Sequence, residues 1–218
     1  GFLAATGTMM SVSVAGCQSG TDTSDTAETP DETTTSKTPA SLDLPDGTSE
    51  SGIESPSTLV EATQTTLAGT DYETNSSLGQ ANLTVDQARR SSLDDKRQLQ
   101  LFDTESERNV LFVADGVAYV RSERDGEVAY NVGETQQSFE ERHERPQLGG
   151  TESLGGILEQ GSYTPTGTVR HNDRRVRQFT LESASLPDGE QRVTDAEGGV
   201  LVDADSVVHE AQLLLEVE

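Results

Sequence analysis

The chain has 218 residues, with 39 Asp and Glu against 15 Lys and Arg and a formal net charge of −24. That balance excludes a nucleic-acid binder, which needs a basic footprint, and excludes direct adsorption to an anionic membrane face. Only Lys37 and Lys96 are lysines, and the acid excess runs along the whole chain. Self-repulsion of this kind weakens a compact state at low ionic strength, and it is screened at molar salt, where the Debye length is about 3 Å.

Residues 1–17 read as an export leader closed by a lipid-anchor site. A weakly apolar stretch ends in Val14-Ala15-Gly16-Cys17, and polar sequence follows at once. Small residues before the cut are what export peptidases accept, and the stretch is too short and polar to span a membrane as a helix. Cys17 is the only cysteine, and lipid attachment through its sulfur is the expectation. The other readings of a lone cysteine are a small buried hydrophobe and a free or intermolecularly paired thiol. Residues 18–54 are rich in Thr, Ser, Asp, Glu and Pro. They hold too little apolar surface to offset ordering entropy and read as a disordered tether, with a random-coil span of roughly 35 Å.

The folded domain is expected over 55–218. Ser55-Pro56 starts a helix, Leu59, Val60, Thr63 and Leu67 share one face, and Gly69 stops it. The period then changes to two. Leu99 and Leu101 alternate with Gln98 and Gln100, and 110–114 reads as a buried strand. Asp115-Gly116, Asp125-Gly126 and the 171–174 segment are hairpin turns. Residues 138–150, with Glu140, Glu141 and Glu144, read as a charged solvated loop. Thr151 opens a short helix carrying Leu154, Ile157 and Leu158. In the last strand Val207, His209, Ala211, Leu213, Leu215 and Val217 point one way, and the strand pairs with 199–203.

Sites of chemistry are scarce. His143, His171 and His209 are the only histidines, and none has a second His or Cys at ligand spacing, so neither metal nor cofactor is expected. No nucleophile elbow, phosphate-cradling loop or calcium loop is present, and no catalytic residue is assigned. Asn75-Ser76-Ser77 and Asn82-Leu83-Thr84 are N-glycosylation sequons, usable if the chain is exported.

The lipobox-like Val14-Ala15-Gly16-Cys17, the helix entry over 53–69 and the 199–208 hairpin together resemble haloarchaeal surface lipoproteins related to the LolA and LppX/LprG lipoprotein-carrier superfamily. The resemblance implies an α+β fold: a strongly curved antiparallel sheet, or half-barrel, with one N-terminal helix and one short helix. It also implies a concave face that holds lipid. Leu59, Val60, Leu67, Leu99, Leu101, Phe112, Tyr119, Phe179, Leu181 and Leu213 are the candidate lining. Three functions stay open. One is a membrane-anchored carrier or shield of a lipid, isoprenoid or other apolar ligand. A second is a surface interaction or sensor module with a filled core and a protein partner. The third is a hydrolase with a dispersed site.

Overall fold

A computed structural model describes residues 8–15, 43–80, 83–144, 151–186 and 192–218, the first of these by backbone alone. Cys17, Asn82 and residues 18–42 of the tether expected over 18–54 lie outside the described residues. The fold is α+β, built on one antiparallel sheet. Its strands in chain order are β1 (Thr8–Ala15), β2 (Tyr72–Gln80), β3 (Leu83–Ser92), β4 (Arg97–Thr104), β5 (Glu107–Ala114), β6 (Val117–Arg124), β7 (Glu127–Glu134), β8 (Gly161–His171), β9 (Arg174–Ala184), β10 (Val193–Asp203) and β11 (Val208–Val217). The helices are α1 (Pro56–Ala68), α2 (Phe139–His143) and α3 (Thr151–Gln160).

The strand order is β7-β6-β5-β4-β3-β2-β1-β11-β10-β9-β8. Two meanders, β2–β7 and β8–β11, therefore meet only through β1. That strand lies antiparallel to β11 on one side, with Met10 opposite Leu213, and to β2 on the other, with Met10 opposite Leu78. Residues expected to form an export leader thus supply the central ladder. The sheet is open, with β7 and β8 as separate edges, and it is not strongly curled. Pro165 sits on edge strand β8, where a missing N–H does no harm.

The tight hairpins follow local chemistry. Asp115-Gly116 and Asp125-Gly126 both take positive φ at each position, as does Asn172-Asp173, which is the twist-matched two-residue turn. Helix α1 has Pro56 at its first turn, but Ser55 makes no side-chain cap and its hydroxyl instead meets Thr58 Oγ1 at 2.6 Å. Leu59, Thr63 and Leu67 are buried from α1, with Val60 half-buried beside them. Leu154, Ile157 and Leu158 are buried from α3. Both helices lie on one face of the sheet: α1 against α3 and β11, and α3 also against β1, β8 and β11. Phe179, Val200, Ala211, Leu213 and Leu215 meet them there and complete the core.

Ordered structure begins before Ser55. Asp46 N–H donates to Ser206 Oγ at 2.7 Å, Ile53 N–H to the Tyr163 carbonyl at 3.2 Å, and Pro45 and Gly52 are buried. A Cβ on Gly52 would lie 2.1 Å from the Tyr163 oxygen, so this close approach needs glycine. The 138–150 segment is not all loop. Ser138 and Glu141 form a reciprocal capping box that opens α2, and His143 at its end is buried. Among the described residues no helix is long and apolar enough to cross a membrane.

Candidate functional site

Directly paired residues of an antiparallel sheet share a face. The row Thr74–Arg89–Gln100–Leu111–Val120 runs across β2 to β6 on one face. Through Val14 of β1, which pairs with Thr74, that is the face that carries α1 and α3 beside β11. The helices cover the β8–β11 half and β1. On the β2–β6 half, among the described residues, only α2 lies over β2 and β3, through Arg89 and Ser91 of β3, and the rest of the face is uncovered.

Under α2 lies a polar cluster. Ser91 Oγ is 2.8 Å from His143 Nδ1, and the His143 ring stacks on Phe139 at 5.1 Å and tilts against Tyr72 at 5.3 Å. Burial pulls His143 below the usual imidazole range and pushes Tyr72 above the usual phenol range. Arg89, 7% exposed, donates from Nη2 to the Arg142 carbonyl at 2.8 Å, tying α2 to the sheet. With the Gln98 amide turned so that its oxygen faces the guanidinium, that oxygen accepts from Arg89 Nε at 3.1 Å and Nη2 at 2.6 Å. Burial, with Arg142 alongside, draws Arg89 below the usual arginine range, although the nearby Tyr72 acts the other way.

Beside this cluster is a cavity of about 280 Å³ lined by Thr74, Gln87, Arg89, Gln100, Phe102, Leu111 and Val120, among others. It is small for a ligand site, but one end is apolar and the other holds a buried cation.

A second polar cluster locks the β10–β11 hairpin. Asp203 Oδ1 accepts from the Asp205 and Val207 backbone N–H groups, each at 3.0 Å. Its Oδ2 meets His209 Nε2 at 2.8 Å and Arg174 Nη1 at 3.1 Å. Thr63 Oγ1 of α1 donates to the Ser206 carbonyl at 2.8 Å and accepts from Val208 N–H at 3.2 Å. His209 is thus a hydrogen-bonded core residue. These contacts join hairpin and helix and shape a structural corner.

The candidate lining residues divide between the two faces. Leu59, Leu67, Phe179 and Leu213 meet in the filled core under the helices, with Val60 and Leu181 at its margin. Leu99, Phe112 and Tyr119 pair in one row with Val132, and Leu101 belongs to the next row with Val110; both rows lie on the opposite face. There Leu99, Phe112, Tyr119 and Val132 are 41%, 37%, 47% and 67% exposed. The expected single lining is therefore split. Alternation in β4 is real, but Gln98 points inward, 1% exposed, because it satisfies Arg89. Arg89 itself carried no local signal in the sequence. The capping-box spacing Ser138…Glu141 could have revealed α2. Asn75 is exposed on central strand β2.

Residues 3–218 match the model of a family of unknown function, DUF7537, and the chain belongs to that family. The matched span includes Cys17 and residues 18–42 as well as the sheet. No curated protein and no solved structure matches the chain.

Proposed function

We propose that the chain is an extracytoplasmic lipoprotein, held on the outer face of a membrane through Cys17 and related to the lipoprotein carriers in architecture, whose open β2–β6 face receives an apolar ligand. The observation that supports ligand binding is the cavity of about 280 Å³ with Phe102, Leu111 and Val120 on its apolar side, set on the same face as the helix-covered core. A lipid or isoprenoid chain fits that chemistry. Native protein purified from membranes, extracted with organic solvent and analysed by mass spectrometry, should release a stoichiometric apolar molecule. Clean extracts from protein that was never exposed to detergent would end this reading. The anchor is tested separately: Cys17→Ser should leave the membrane fraction or remain unprocessed, and unchanged size with unchanged retention would refute it.

A second reading, a surface interaction module, draws on a different observation. The outward row Leu99, Phe112, Tyr119 and Val132 is an apolar stripe on strands β4–β7, of the kind that marks protein contacts when contiguous. Crosslinking on intact cells through a probe placed at Tyr130, 73% exposed beside that row, should then capture one specific surface protein. Loss of capture in a Tyr119→Asp, Val132→Asp double variant would localise the contact.

A further inference from the structure

A buried cation, Arg89, stands in the cavity wall. Arg89 is 7% exposed, and among the described residues no carboxylate pairs with it. In a chain of net charge −24, acids are plentiful, yet the groups that act on Arg89 are Tyr72, whose ring centroid lies 5.9 Å from Cζ, and a second cation, Arg142. Burying an ionised group without an opposite charge is unfavourable unless something else supplies it.

A guanidinium carries five N–H donors: one on Nε and two on each terminal nitrogen. The Nε and Nη2 donors are used by the Arg142 carbonyl and the Gln98 amide oxygen. Nη1 is buried and has no hydrogen-bond partner among the described residues. Directly across the ladder stands Thr74, 1% exposed, whose Oγ1 is likewise buried without a partner. Both residues line the same cavity, whose far side is Phe102, Leu111 and Val120. Two N–H donors on Nη1 and a hydroxyl, unpartnered on directly paired residues that line one cavity, match the oxygens of a carboxylate or phosphate.

We propose that Arg89 and Thr74 seat the anionic head of an amphiphile, a carboxylate or phosphate, whose apolar chain lies along Phe102, Leu111 and Val120. This rests on the apolar-ligand reading and adds the chemistry of the head. Arg89 has two tasks in it: Nη2 holds α2 over the sheet, and Nη1 holds the ligand. Binding of the head would then reach α2 through one side chain.

Calorimetric titration of the full chain in multimolar KCl tests this with four probes: dodecyl phosphate, dodecanoate, dodecanol and inorganic phosphate. Chloride is common to every arm. At least one of the two anionic amphiphiles should bind about tenfold or more tightly than dodecanol, and the tighter of the two names the head. Thr74→Val, which keeps side-chain shape, should reduce that preference several-fold with an unchanged melt. Arg89→Met should abolish it, and its melt reports any loosening of α2. Dodecanol binding as tightly as both anions would overturn the headgroup seat and leave the apolar-ligand reading standing. Absence of binding by all three amphiphiles would overturn both. Inorganic phosphate binding as tightly as dodecyl phosphate would show a seat for a free anion and overturn the amphiphile.

Discussion

His209 Nε2 sits 2.8 Å from Asp203 Oδ2, and both side chains are shut inside the β10–β11 hairpin. Burial alone would raise the Asp203 carboxyl. The hydrogen bonds from His209, the Val207 N–H and Arg174 outweigh it and hold the group below the usual aspartate range. A depressed folded value means that the contribution is complete above the unfolded pKa of about 3.9. It fades as pH falls through the folded value. Asp203→Asn should therefore lower stability by a constant amount above about pH 4, with the gap from wild type narrowing below it. Asp203→Ala, which leaves His209 and Arg174 facing a void, should cost about 3 kcal/mol. Melting curves across pH would check both, and a gap that widens in acid would contradict the sign.

Thr63 is the polar member of an otherwise apolar helix stripe. Thr63→Val keeps the shape but leaves the Ser206 carbonyl and Val208 N–H without their partner, and should cost about 1–3 kcal/mol. Leu67→Ala, in the core, should cost about 2–5 kcal/mol. Glu61→Gln, on the exposed side of α1, should stay within about 0.5 kcal/mol of wild type. Equal effects at Thr63 and Glu61 in denaturant titrations would contradict the packing of α1 on the hairpin.

Strand β4 makes an inverted test. Its buried residue is Gln98 and its exposed neighbour is Leu99. Leu99→Ser should change stability by less than about 1 kcal/mol. Gln98→Leu, which looks harmless by hydropathy, should cost about 1–3 kcal/mol by removing the amide oxygen that accepts from Arg89 Nε and Nη2. The reverse order in a urea series would show that the faces of β4 had been misassigned.

These two residues also show where reading the sequence stopped. A period of two reveals that side chains alternate but not which set lies inside. Under β10 and β11 the apolar set faces the helices, as Leu213 and Val200 do; in β4 Leu99 and Leu101 face outward while Gln98 and Gln100 face in, and β5 is apolar on both faces. Turns at Asp115-Gly116 and Asp125-Gly126 were legible because their chemistry is local. Strand β2 was not, because Thr74-Asn75-Ser76-Ser77 has no apolar alternation and is held by ladders on both sides. Arg89 stayed hidden for a related reason: its burial comes from α2, 53 residues on, and from Gln98 on the neighbouring strand.

The acid excess predicts a salt requirement. Circular dichroism in multimolar KCl should show cooperative melting that is lost in about 0.1 M salt, where the screening length is about 10 Å. Identical melts at both would mean that the charge of −24 has no bearing on stability.

Strand β1 ends at Ala15, two residues before Cys17. Maturation at that cysteine would take the whole strand away. Because β1 runs antiparallel to both β2 and β11, those two strands run in the same direction as each other. Neighbouring strands lie about 4.8 Å apart, so its loss leaves a gap about twice that wide. Drawing the two meanders together across it would create the single parallel ladder in an otherwise antiparallel sheet, with slanted and slightly weaker hydrogen bonds. The precursor and the mature chain would then differ at the seam of the fold, and cleavage would be a structural rearrangement as much as a release.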